Sequence, residues 1–354
     1  MPRHPPRASR PGRARRTRTG RRAGAVPRTS ARAHGCAGTA VAVLVGLGLA
    51  ITAVVLALNA LVTSPASGDC VVTLQDGSQQ TLEADQADNA ALFAAVAAHR
   101  DLPARAVTIA IATALQESKM RNIDYGDRDS VGLFQQRPSQ GWGTVEEIMD
   151  PVYSTNAFYD VLVTVEGWED QEITDAAQDV QRSGFPDAYA QHETRGRAFA
   201  TALTGYSPAT LTCHLAPVEE ATADGAAAAG GDGAAVAPVA GATPPARLAT
   251  IQARLQRDFV EISSQVLPAG VLQVDATSLP PGRDAAPERR AWAVGHWAVA
   301  TASATGARVV AVDGRVWLRD AGDDATWLPV ADAGLPAGLR TAVDAAGPGA
   351  VLIG

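Results

Sequence analysis

The residues best suited to chemistry lie between Ala114 and Gly143. Gln116-Glu117-Ser118 closes a run in which Val107, Ala110, Ile111, Ala114 and Leu115 recur at i, i+3, i+4, i+7 and i+8. That period predicts a helix with one buried face and Glu117 at its end. Fifteen residues after Glu117 comes Gly132-Leu133-Phe134-Gln135, continued by Gln136-Arg137-Pro138-Ser139-Gln140-Gly141-Trp142-Gly143. A carboxyl group at a helix end beside an amide-rich, aromatic loop suits sugar chemistry. Glycosidic cleavage needs an acid to protonate the leaving oxygen. That acid must start protonated near neutral pH, which apolar burial favours. Amides can bond N-acetyl and hydroxyl groups, and aromatic faces can pack on sugar rings. Trp142 and Trp168 are open to either core packing or sugar stacking. Ser118 can also simply terminate its helix. Asp124, Asp127 and Asp129 can hold a water, but in a Gly- and Asp-rich loop they read more naturally as turn formers.

Glu-Ser followed at this distance by Gly-Leu-Phe-Gln resembles the lytic transglycosylase and goose-type lysozyme branch of the lysozyme-like superfamily, over roughly residues 85–205. The paired motifs are more specific than either alone. The resemblance implies a lysozyme-like fold and cleavage of peptidoglycan between N-acetylmuramic acid and N-acetylglucosamine, with Glu117 as catalytic acid. Ser118 would position the acid or the substrate, and Gln135 would line the groove together with Gln136 and Trp142. The family's later Ala-Tyr-Asn-Ala-Gly segment is not reproduced. Its nearest counterparts are Gln181, within Ala177–Gln181, and Tyr189, after Phe185-Pro186-Asp187-Ala188. The family mechanism uses one carboxylate and no cofactor. Glu117 would protonate the glycosidic oxygen, the N-acetyl group would stabilise the cationic centre, and the carboxylate would then deprotonate the muramyl 6-hydroxyl to close an anhydro ring. The contrasting hypothesis is a catalytically inactive peptidoglycan-binding or scaffold protein. Retention of Glu at 117 favours the enzyme.

Several elements must position these residues. A hairpin is predicted around Asp76-Gly77. Helices are predicted over Asp85–Arg100, Ala104–Ser118, Pro151 to about Val163 with Asp150 as cap, Thr174–Arg182 and Pro186–Leu203. Residues 217–246, rich in Ala, Gly and Pro, read as a linker. Residues 247–354 read as a small α/β unit with helices Arg247–Phe259 and Ala285–Ala304, strand Val271–Val274, and a hairpin around Asp313-Gly314. His192 and His296 read as ordinary surface or core residues.

The head of the chain differs in kind. Residues 1–35 carry eleven Arg and no Asp or Glu, whereas the whole chain sums to −7. Ala37–Val62 is almost wholly apolar and as a helix would span roughly 39 Å. The expected architecture is therefore multidomain. It comprises a basic cytoplasmic tail (1–35), a transmembrane helix (36–63), a mainly α lysozyme-like domain (69–216), the linker, and the small α/β domain (247–354). The charge asymmetry places the later domains outside the cell membrane. A cleaved signal peptide is the rival, with an unusually long apolar core and no clear cleavage site. The Arg run reads as an orientation signal rather than a nucleic-acid contact. The expected partners are peptidoglycan glycan strands and, through the span, the membrane. Cys70 and Cys213, both on the outer side, bracket about 140 residues and are predicted to form a disulfide. No spacing among three Cys and six His suggests a metal site.

Overall fold

The computed structural model describes residues 68–218, 243–280 and 286–354. Strands β1 (Asp69–Thr73) and β2 (Gln79–Glu83) form the predicted hairpin. Gly77 supplies the positive φ of 82° at the turn, and the Asp76 carboxylate accepts from both the amide and the hydroxyl of Ser78. On its other edge β1 pairs antiparallel with β3 (Leu211–His214), which sets Cys70 opposite Cys213 and allows their disulfide.

Helix α1 (Ala84–His99) starts at a capping box in which the Gln86 side chain accepts from the Glu83 amide at 2.9 Å. Helix α2 (Ala104–Ser118) is buried on nearly every side from Ala106 to Leu115. A helix that apolar all round belongs at the centre, and α2 packs against α1, α4 (Pro151–Leu162), α5 (Ile173–Gln181) and α6 (Glu193–Leu203). The approach of α6 is close because Gly196 lacks a side chain. A Cβ there would stand 3.0 Å from the Thr108 carbonyl oxygen. Between α2 and α4 lie the long loop and the short α3 (Val145–Met149), capped by Thr144. Asp150 caps α4 through the amides of Val152 and Tyr153, as its sequence predicts.

Downstream, α7 (Pro244–Phe259) leads to strands β4 (Ser263–Leu267) and β5 (Val271–Asp275). Then come α8 (Pro287–Ala300), α9 (Ala302–Thr305), β6 (Val309–Val312), β7 (Arg315–Leu318), β8 (Trp327–Pro329), α10 (Ala337–Ala345) and β9 (Ala350–Ile353). The six strands make one antiparallel sheet in the order β4-β5-β9-β6-β7-β8. Helix α8 rests on it where Gly295 meets Val312; a Cβ on Gly295 would come within 2.4 Å of the Val312 side chain.

This sheet unit and the α2 bundle share one apolar core. Arg254 of α7 forks onto both carboxylate oxygens of Asp88 in α1, at 3.0 and 3.1 Å, and bonds Asp258, which also accepts from the Trp297 indole at 2.9 Å. The Trp327 indole donates to the Leu211 carbonyl at 2.7 Å, and buried Arg319 donates to that of Ala216.

These observations correct the expected architecture. The described residues are a mixed helix-and-sheet structure, and no helix among them is long and apolar enough to cross a membrane. The described residues therefore do not divide into a mainly α domain and a separate small α/β domain, because helices and both sheets contribute to one core. Strands β3 and β9 are four residues long and pair with segments distant in sequence, so local periodicity does not announce them. The basic tail, the proposed span at 36–63 and most of the 217–246 linker lie outside the described residues.

Candidate active site

Glu117 stands in the last turn of α2, half-buried, where the helix stops abruptly. Lys119 and Met120 both adopt left-handed backbone, with φ of 54° and 56°. Two successive non-glycine residues in that region cost roughly 1–2 kcal/mol each, so something must hold them. The Gln86 amide donates to the Lys119 carbonyl at 2.9 Å, and that of Asn89 to the Met120 carbonyl at 3.0 Å. Arg121 then pairs with Glu83 and Asp85. Helix α1 thus fixes the point at which α2 ends, and with it the position of Glu117. These supporting residues carried no signal in the sequence, because their partners are backbone oxygens about thirty residues away.

The two motifs are joined directly. The Ser118 hydroxyl donates to the Leu133 carbonyl at 2.7 Å, so the Glu-Ser and Gly-Leu-Phe-Gln segments lie side by side. Leu133 and Phe134 are fully buried, and Phe134 stacks on Phe158 with centroids 4.5 Å apart. Gly132 has φ of 80°, and a Cβ there would meet the Ile148 carbonyl oxygen at 2.9 Å. The motif's glycine and apolar pair are therefore structural anchors that seat this turn beside the end of α2.

Tyr189 completes the arrangement. Its hydroxyl donates to Glu117 Oε1 at 2.7 Å, from a 3-10 turn at Pro186–His192 that replaces the start of the long helix predicted over Pro186–Leu203. Burial pushes the Tyr189 hydroxyl well above the usual phenol range, and the neighbouring Glu117 carboxylate adds to the shift, against a hydrogen bond with Ser183. The phenol therefore stays a donor throughout the physiological range. Beside it, Gln116 Oε1 accepts from Gln191 at 3.1 Å and lies 3.2 Å from His192 Nε2. Burial, with Arg195 nearby, disfavours the charged form of His192.

The remaining predicted residues fall into two groups. Gln181 and Gln136 brace the site from behind. The Gln181 amide donates to the Phe134 carbonyl at 2.8 Å, and buried Gln136 donates to the Ser154 carbonyl at 3.1 Å. Gln135 and Trp142 remain partly accessible. Gln135 donates to the Tyr125 and Gly132 carbonyls, and Trp142 packs against the core while walling a cleft. Trp168 is buried and belongs to the core. Asp129 organises its loop by accepting from the Ser139 amide and from Arg137, both at 2.8 Å, and these bonds hold its carboxyl far below the usual range.

Arranged this way, the site offers one half-buried carboxyl group held by a buried phenol, a group able to give and take a proton, and Trp142 and Gln181 line a neighbouring cleft. The chain matches no family model, and no curated protein matches it.

Proposed function

We propose that this protein cleaves peptidoglycan glycan strands between N-acetylmuramic acid and N-acetylglucosamine, with Glu117 as the sole acid–base group. The observation that carries the reading is the 2.7 Å bond from Tyr189 to Glu117, in a helix end tied by Ser118 to the Gly-Leu-Phe-Gln segment. Glu117 gives its proton to the glycosidic oxygen as the C1–O bond breaks, and the substrate's N-acetyl group shields the cationic carbon. The resulting carboxylate takes the proton of the muramyl 6-hydroxyl as the new C1–O6 bond forms, which restores the acid. A single carboxylate suffices because no water has to be activated. That agrees with Asp129 being committed to Arg137 and Ser139. The Cys70–Cys213 disulfide supports action outside the cytoplasm, where such bonds persist.

Mass spectrometry of muropeptides released from purified sacculi by the full-length protein tests the proposal. Products one water lighter than the hydrolytic disaccharide are expected. Fully hydrated products would keep the cleavage and discard the ring closure, and the absence of soluble products would discard both.

A further inference from the structure

The loop after Gly-Leu-Phe-Gln and the end of α5 enclose a cleft of about 480 Å³ that the reaction above does not use. Gln140, Trp142, Val161, Val180, Gln181 and Arg182 line it. Gln181 ties this cleft to the site, since its amide bonds the carbonyl of Phe134 in the motif beside Glu117. Arg182 also borders an adjoining recess of about 420 Å³, with Thr164, Gln178 and Asp179 on its walls. Arg182 ends α5 in left-handed backbone, with φ of 50° and its amide on the Gln178 carbonyl at 2.7 Å. Its guanidinium makes no ion pair or side-chain hydrogen bond among the described residues, whereas Arg121 pairs with Glu83 and Asp85, and Arg137 with Asp129. The nearest carboxylate on the recess wall, Asp179, accepts from Gln171.

We propose that this cleft holds the peptide stem of the glycan substrate, with Arg182 receiving a stem carboxylate and the Trp142 indole covering the stem's apolar side chains. The proposal rests on the glycan reading of the Glu117 site. An unpaired guanidinium over an apolar floor suits a ligand with an aliphatic body and an anionic end. A neutral sugar chain alone gives a cation nothing to pair with. In peptidoglycan the group that hangs from every muramic acid is a short peptide ending in carboxylate.

The test measures binding by calorimetry in the full-length Glu117→Gln protein, so that turnover does not interfere. The probes are a disaccharide bearing its peptide stem, the same disaccharide with the stem removed to leave the lactyl carboxylate, and an N-acetylglucosamine oligomer. Arg182→Gln should weaken binding of the stem-bearing probe roughly five-fold, with the difference shrinking at high salt as expected for a partly exposed pair. Arg182→Lys should recover part of it, and the other two probes should bind unchanged. Equal loss on the stripped probe would move the contact to the lactyl group and overturn the stem assignment. No change on any probe would overturn the site, and so would equal loss on all three. Failure of the glycan reading itself would show separately, as wild-type protein that releases nothing from sacculi.

Discussion

At the residue scale the account rests on Glu117 and the groups that hold it. Tyr189→Phe keeps the ring in its buried place but removes the donor to Glu117 Oε1. A hydrogen bond to a charged group contributes on the order of 1.5–3 kcal/mol. We expect kcat on soluble glycan to fall at least tenfold, with KM nearly constant. A pure rise in KM would instead make Tyr189 a substrate contact. Because burial raises the Tyr189 hydroxyl, the donor survives to alkaline pH, and loss of activity between pH 7 and 9 would belong to another group. Ser118→Ala leaves the Leu133 carbonyl without its donor in a buried setting, at a cost of about 1–3 kcal/mol in chemical denaturation.

At the scale of elements, the site depends on where helix α2 stops and how the loop returns to it. Gly132→Ala places a side chain at φ of 80° and a Cβ 2.9 Å from the Ile148 carbonyl oxygen. We expect a loss of roughly 1–2 kcal/mol in the urea midpoint analysis, together with reduced activity, because the turn carrying Phe134 must shift. An unchanged midpoint would mean that the loop adapts freely. The helices around the site were largely legible in the sequence. Ala104–Ser118 follows from its apolar stripe, and Pro151–Leu162 from Asp150-Pro151. The coupled motifs could be read from spacing alone, and Tyr189 could be named as a candidate. Its direct bond to Glu117 could not, because 72 residues separate the two. Nor could the roles of Gln136 and Gln181, whose amides turn inward to backbone carbonyls; an amide in a polar loop looks the same in sequence whether it faces ligand or core. The 3-10 turn at Pro186–His192 was hidden inside a helical pattern.

At the scale of the whole molecule, the sheet unit is welded to the bundle by groups that sequence patterns cannot pair, such as Asp88 with Arg254. One weld is pH-sensitive. His296 is fully buried, its Nδ1 lies 2.8 Å from the Ala202 carbonyl oxygen, and Trp292 and Trp327 flank it. Burial lowers its pKa to about 4, against the hydrogen bond to Ala202, which raises it. The folded protein therefore binds fewer protons here than the unfolded chain. The stability it contributes is full above about pH 6.5 and is lost as pH falls towards 4, at up to about 1.4 kcal/mol per pH unit. His296→Gln should flatten that acid limb in urea melts recorded between pH 7 and 4; an unaltered slope would assign the limb to carboxylates. The Cys70–Cys213 bridge closes a loop of 143 residues. Replacing both by Ser should cost about 5 kcal/mol on the chain-entropy model, read as the difference in unfolding free energy between the two proteins.

The most direct test of the central claim is the release of soluble muropeptides from purified sacculi by wild-type and Glu117→Gln full-length proteins, side by side with sacculus binding. The substitution keeps the side chain's volume and its ability to accept from Tyr189 but removes the proton that must move. The account predicts release by the wild type, a fall of 10²–10⁴-fold or more in the variant on the order expected for lost general acid–base work, and equal binding by both. Equal release by both proteins, or none by the wild type, would contradict it.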